Sequence, residues 1–189
     1  TSVVEQAILT GGLLRDIGAA GVTVLGVGFG AVVALELALA EPKTIERVML
    51  IEPPLFRLVT SATEGMSSDV DEIRDAAHLG GELAAYELFL AGRLHTLGCG
   101  AGRLGESAAR GQTAAHTFLV ELPAVPAWPI DSTRLALLEA DSLVATLPST
   151  PPLLADAAER IALRIPGCER VSTLTEGPEA AAELVLRER

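Results

Sequence analysis

Residues 17–41, IGAAGVTVLGVGFGAVVALELALAE, decide how this chain is built. The first nineteen carry no charge, a length that also approaches a bilayer-spanning helix. The residues inside the run argue for something else. Five glycines interrupt it, Val22–Leu25 is rich in β-branched residues, and the flanks Asp16 and Glu36 are acidic. Glycine-bounded β-branched stretches signal strand and turn, and acidic flanks supply no positive-inside orientation. The run is read as a buried strand over 22–27, a glycine turn over 26–30 and a helix over 29–41 that Pro42 stops.

The same rhythm extends outward. Residues 2–19 read as an amphipathic helix, with Val3, Val4, Ala7, Ile8, Leu13, Leu14 and Ile17 at three- and four-residue steps. Arg47–Glu52 is a second apolar strand, closed by Pro53 and Pro54. Residues 57–68 read as a loop, followed from Asp69 by a long helix with Ser67 or Ser68 as cap. Gly80 and Gly81 kink it, the glycine-rich stretch 98–102 breaks it, and a shorter helix covers 104–120. Prolines 123, 126 and 129 mark a stiff connector. Residues 133–140 then read as a strand, Pro151 opens a helix to Ile165, 168–175 is a strand, and Pro178 opens the last helix. Apolar strands alternating with helices specify an α/β fold, a mostly parallel sheet with helices on both faces. The expected layout is an α/β core from 1–56 and 130–189, with a helical insertion over 57–129.

Composition narrows the functions. At 189 residues and 19.6 kDa the chain suits one domain. Fourteen basic residues face 25 acidic ones, net −11, which excludes nucleic acid and anionic membrane as partners. The 49% hydrophobic content fits parallel strands better than a membrane segment. Cys99 and Cys168 have no CxxC spacing, so no zinc ribbon, metal site or disulfide scaffold is expected, in keeping with a reducing cytoplasm. No basic n-region opens the sequence, and Thr1 in place of Met implies processing or truncation.

The glycine turn admits two chemistries. Gly26-Val27-Gly28-Phe29-Gly30-Ala31 satisfies the dinucleotide fingerprint G-x-G-x-x-G/A, and Glu52 ends the next strand where a ribose-binding carboxylate would stand. A strand, glycine turn and helix also form the nucleophile elbow G-x-S-x-G. The helix ahead of the strand, the following ELALAEPKTIERVMLIEPPLF and the late insertion decide between them. On these features the chain resembles the C-terminal two-thirds of an α/β-hydrolase with a helical cap.

That resemblance implies a Ser, Cys or Asp at the turn's apex, an acid after a late strand and a His after the last strand. The apex here is Gly28, which has no side chain. Asp141 follows 133–140, at the expected place of the acid, as a vestigial member. The loop Leu174–Glu179 carries no His, and none occurs from 117 to 189. His78, His95 and His116 all fall in the insertion, and both cysteines read as inert thiols. The family's first strands and its oxyanion loop have no counterpart, so strand 22–27 is expected to lack a neighbour and to invite a homo-oligomer or partner chain.

The expectation is a hydrolase-like protein without Ser and His, needing no cofactor, that binds a small apolar or carboxylate ligand. The elbow turn Gly26, Gly28, Phe29 and Gly30 would form its floor, with the Phe29 N–H at the helix start. Leu55, Phe56, Phe89, Phe118 and Trp128 would line the pocket. Two alternatives stand beside it: an esterase- or thioesterase-type enzyme with an atypical or partner-completed site, and dinucleotide binding at Gly26–Ala31 with Glu52.

Overall fold

The computed structural model describes residues 2–59, 62–90 and 111–187. Among the described residues four strands form one sheet: β1 (Val22–Val27), β2 (Ile45–Ile51), β3 (Asp141–Thr146) and β4 (Glu169–Ser172). Their order is β1-β2-β3-β4 and every pairing is parallel. Alternate residues of β2 supply the two faces of the core. Val48 and Leu50 pack with the helix after β1, and Met49 and Ile51 with the chain's last helix.

The first helix, α1 (Val3–Asp16), opens on a reciprocal cap. The Ser2 hydroxyl accepts the Glu5 N–H at 3.1 Å, while the Glu5 carboxylate accepts the Ser2 N–H at 2.8 Å. Those bonds hold the Glu5 carboxyl below its ordinary range. Val3, Ala7 and Gly11, four residues apart, form its buried face against α2 (Phe29–Ala40). A Cβ on Gly11 would stand 3.1 Å from Glu41 Oε1 and 3.4 Å from Leu37 Cδ1, so a larger residue would have to displace side chains at the end of α2. Helix α2 is apolar nearly all round because α1 covers it on one side and the sheet on the other.

Between β2 and β3 lie a 3-10 turn (Phe56–Leu58) and the helices α3 (Ala62–Leu90), α4 (Gly111–Glu121), α5 (Ala124–Ala127) and α6 (Ser132–Leu135). Helix α3 starts at Ala62, so it takes in Ser67 and Ser68, which sequence placed as caps at the end of a loop. It breaks at Gly81 (φ 80°, ψ 178°), as the glycine pair predicts. The stretch 91–110, with His95, Cys99, the glycine-rich break and the start of the helix expected from 104, lies outside the described residues. Helices α3 and α4 share a small aromatic cluster in which the Phe89 and Phe118 rings are 4.4 Å apart. Ala124, Trp128 and Ile130 pack in the main core.

The strand expected over 133–140 is corrected. Residues 132–135 form a helical turn that Asp131 caps by accepting the Arg134 N–H at 2.8 Å. Leu135 and Leu138 are both buried in the core, and their three-residue spacing follows a helical turn rather than the alternation of a strand. The true strand starts at Asp141. The chain closes with α7 (Pro152–Ala162), β4 and α8 (Gly177–Leu186).

Among the described residues, no helix is long and apolar enough to cross a membrane. The charge-free run 17–35 is instead the end of α1 with its connection, β1, the turn and the start of α2.

Candidate functional site

All four strands are parallel, so their C-terminal ends and following loops share one edge of the sheet, where ligands bind in open α/β folds. The glycine turn opens that edge. Gly28 caps α2 with φ 56° and ψ −122°, a conformation that a side-chain-bearing residue adopts only under strain. Its N–H donates to the Ile51 carbonyl at 2.9 Å, fastening the turn to β2. A Cβ built on Gly28 meets nothing within 4 Å, and the same holds for Gly30. Gly26 is the opposite case: its Cβ would lie 2.3 Å from the Gly30 carbonyl oxygen and 2.5 Å from Ala31 Cα. Gly26 lets strand and helix touch, whereas Gly28 leaves an open position at the apex.

This geometry yields an expected result. Gly28→Ser introduces a side chain into open space and incurs only the backbone strain, so thermal unfolding should register a loss of about 1–3 kcal/mol. A variant as stable as the parent would contradict the backbone reading.

The remaining loops of this edge are tied together by carboxylates. Glu52 follows β2 with φ 48° and is 3% exposed. Its Oε1 accepts the Thr150 hydroxyl at 2.7 Å, and Thr150 Oγ1 accepts the Leu147 N–H at 2.6 Å. Glu52 is thus buried and engaged with the loop after β3, a placement that does not favour the ribose-binding role. In the next loop, Glu176 accepts both the Ser149 N–H at 2.7 Å and the Ser149 hydroxyl at 2.9 Å. Sequence reasoning missed Ser149, Thr150 and Glu176. These residues have no motif of their own, and misplacing β3 put the loop that follows it in the wrong position.

Glu183 of α8 fixes the same region from behind. It accepts the Leu174 N–H at 2.9 Å, the Thr175 hydroxyl at 2.9 Å and N–H at 3.2 Å, and pairs with Arg187 at 2.8 Å. Burial pushes its carboxyl up, but these bonds and the Arg187 charge outweigh that and hold it below the ordinary range. A depressed carboxylate stabilises the fold above its unfolded pKa and loses that contribution as pH falls through the folded one. The difference in melting temperature between the parent and Glu183→Gln should stay constant from neutral pH down to the ordinary glutamate range, near about 4.3, and shrink below it. A difference that shrinks only as pH rises would contradict this assignment.

The other candidates lie elsewhere. Asp141 stands at the start of β3 and pairs with Arg47, which in turn pairs with Thr23. It is at the opposite end of the sheet, on the order of 15 Å along the strands from the turn. It is not placed as a partner of the apex. His78 and His116 are exposed on α3 and α4, His116 with its Nδ1 3.0 Å from Glu82 Oε1. Cys168 is half-buried just ahead of β4, and burial pushes its thiol up, which suits an unreactive cysteine. Among the described residues, no three His, Cys, Asp or Glu side chains are grouped to hold a metal ion.

The five apolar residues expected to line one pocket are dispersed. Leu55 and Trp128 belong to the main core, Phe56 packs with Val59 and Ala157, and Phe89 and Phe118 pack on each other. Trp128 carries a polar role that sequence did not reveal. Its Nε1–H donates to Glu36 Oε2 at 2.8 Å, and Arg134 donates to the same oxygen at 2.9 Å. Glu36 is 6% exposed, so this network joins α2 to the connector and α6 inside the core.

No protein-family model and no curated protein matches the sequence. The fold does have known counterparts. An α/β hydrolase from Sphaerobacter thermophilus superposes with a TM-score of 0.67 at 20% identity, covering 99% of this chain and 74% of that one. A hydrolase from Pseudomonas aeruginosa gives 0.70 at 20% identity, covering 99% and 71%. The enol-lactonase from Burkholderia xenovorans gives 0.57 at 17%, covering 99% and 72%. With its four parallel strands, its helices on both faces and its glycine turn between β1 and α2, the chain has the α/β-hydrolase fold.

Proposed function

We propose that this chain is an α/β-hydrolase-fold protein without serine-type hydrolytic activity, and that it holds a small apolar or carboxylate ligand at the elbow turn. The observation that carries the reading is Gly28. It has the backbone conformation of a strained apex, with open space where a side chain would stand, yet it offers no nucleophile. Nucleophilic catalysis needs an attacking atom and a base within hydrogen-bond reach of it. The described histidines lie on α3 and α4, and residues 117–189 contain none.

The same features support binding. The open apex gives a ligand a close approach to the first N–H groups of α2, where the helix dipole favours negative charge. The Glu52–Thr150 and Ser149–Glu176 pairs use hydroxyls and carboxylates to fasten the surrounding loops to one another.

The test is a panel of p-nitrophenyl esters and acyl thioesters run on the purified chain, beside thermal unfolding with short- to medium-chain carboxylates. Hydrolysis should stay at the solvent background. A bound carboxylate present at 100 times its dissociation constant should add about 2.7 kcal/mol of stability. Turnover above background would overturn the non-hydrolytic reading, and unfolding unaffected by every carboxylate would overturn the ligand class.

A further inference from the structure

Helices α3 and α4 have a small core of their own. In one cluster Ile73 of α3 and Ala85, beyond the break at Gly81, are buried with Phe118 and Leu119 of α4 packed against them. In the adjoining cluster Tyr86 and Ala115 are buried with Phe89 and Phe118 against them. Among the described residues, neither cluster shares a side chain with the main core or with the Met49–Ile51 face of the sheet. Phe118 belongs to both, its ring 4.4 Å from Phe89 and 5.7 Å from Tyr86. Both halves of α3 therefore rest on α4, and losing α4 uncovers both. The polar link between the helices, His116 to Glu82, is exposed at both ends, where such a pair contributes little.

The two ends of this unit are fixed to the rest of the protein. On the entry side Leu55 lies in the main core, and Phe56 and Val59 pack with Ala157 of α7. On the exit side Trp128 and Ile130 lie in the main core, and the Trp128 indole donates to Glu36 of α2. Arg57 fastens one end to the other, its Nη1 donating to the Trp128 carbonyl at 2.8 Å across 71 residues of sequence.

We propose that α3 and α4 unfold together as one unit, ahead of the α/β core, and that this opening stops at the Arg57–Trp128 clasp. The cost of a local opening follows the apolar contact that it breaks. Opening here breaks two small clusters, whereas the core around Val48, Leu50 and Val144 unites the sheet with α2 and α7. The opened residues regain backbone freedom, while the clasp keeps the sheet and its covering helices shut. The long loop left between Arg57 and Trp128 is tolerated because closure entropy grows only slowly with length.

The experiment is native-state hydrogen exchange on the full chain, read residue by residue at increasing, sub-denaturing urea. The amides of Ile73, Ala85 and Phe118 should exchange through one common opening, with protection about a hundredfold or more below that of Val48, Leu50 and Val144. Phe118→Ala should lower protection throughout α3 and α4 by about tenfold or more and leave those strand amides unchanged. The Trp128 and Ile130 amides should exchange with the strands in the parent and join the faster helices in Arg57→Ala, with Arg57→Gln as the second variant. One exchange class for helices and strands, unlinked rates in α3 and α4, or strand protection that falls with Phe118→Ala as far as helix protection does would each overturn the proposal. So would Trp128 and Ile130 amides that stay fully protected in both folded Arg57 variants.

Discussion

Trp128→Ala is expected to destabilise the protein by about 4 kcal/mol, the range found when a buried aromatic is truncated and its cavity fails to collapse. For a domain of this size that is a fall in melting temperature of about 8–16 °C. Trp128 is 2% exposed and sits in the main core with residues of α2 and α6, so its removal opens a void between elements held at fixed distances by the sheet. The loss has a polar part as well. Without the indole N–H, Glu36 keeps only Arg134 on Oε2, and an under-satisfied buried carboxylate is unfavourable. Arg57 also donates to the Trp128 carbonyl at 2.8 Å, a backbone contact that survives the substitution. Trp128→Phe separates the two parts by retaining most of the ring and deleting only the donor, and should cost about 1–2 kcal/mol. Equal losses for the two variants would show that packing contributes little, contrary to the burial.

Gly26→Ala is the second large effect, about 3 kcal/mol, or roughly 6–12 °C in melting temperature. The new methyl would fall 2.3 Å from the Gly30 carbonyl oxygen and 2.6 Å from the Ala31 amide nitrogen. Both are backbone atoms of α2, so relief requires the helix to lift away from β1, where Ala31, Val32 and Leu35 are completely buried. Gly28→Ala is the informative control, because it adds the same methyl to open space and meets only the positive φ. A larger loss at Gly28 than at Gly26 would mean that the turn is limited by backbone strain rather than by the strand–helix approach.

These effects show what was legible in the sequence. Strand 22–27, the glycine turn and α2 could be read because each has a local cause: β-branched residues between glycines, then an apolar helix ended by a proline. Gly28's unusual backbone was legible for the same reason, since a glycine at an elbow's apex is the residue that adopts such angles freely. β3 was misread because TRLALLEA and DSLVAT are both rich in apolar residues, whereas only the start of the first is helical, in the turn over 132–135 that Asp131 caps at the Arg134 N–H. That slip carried Asp141 from the end of a strand to its beginning, and to the far end of the sheet. It also hid Ser149 and Thr150.

The polar ties were illegible for a different reason. Glu36 meets Trp128 across 92 residues and Glu52 meets Thr150 across 98, so no local pattern announces them. A single acidic residue inside the apolar helix AVVALELALA was the one available hint that a partner waits in the core.

The central claim is that this fold presents its elbow without a nucleophile. The most direct measurement is intact-mass analysis after incubation with a fluorophosphonate, which forms a covalent adduct with an activated serine. The account predicts an unmodified mass for the parent chain and equally for Gly28→Ser, because the described histidines lie on α3 and α4 and the loop after β4 carries no histidine, its Glu176 being bonded to Ser149. An adduct on the parent chain, or one at the substituted apex of the Gly28→Ser variant together with ester turnover, would contradict it.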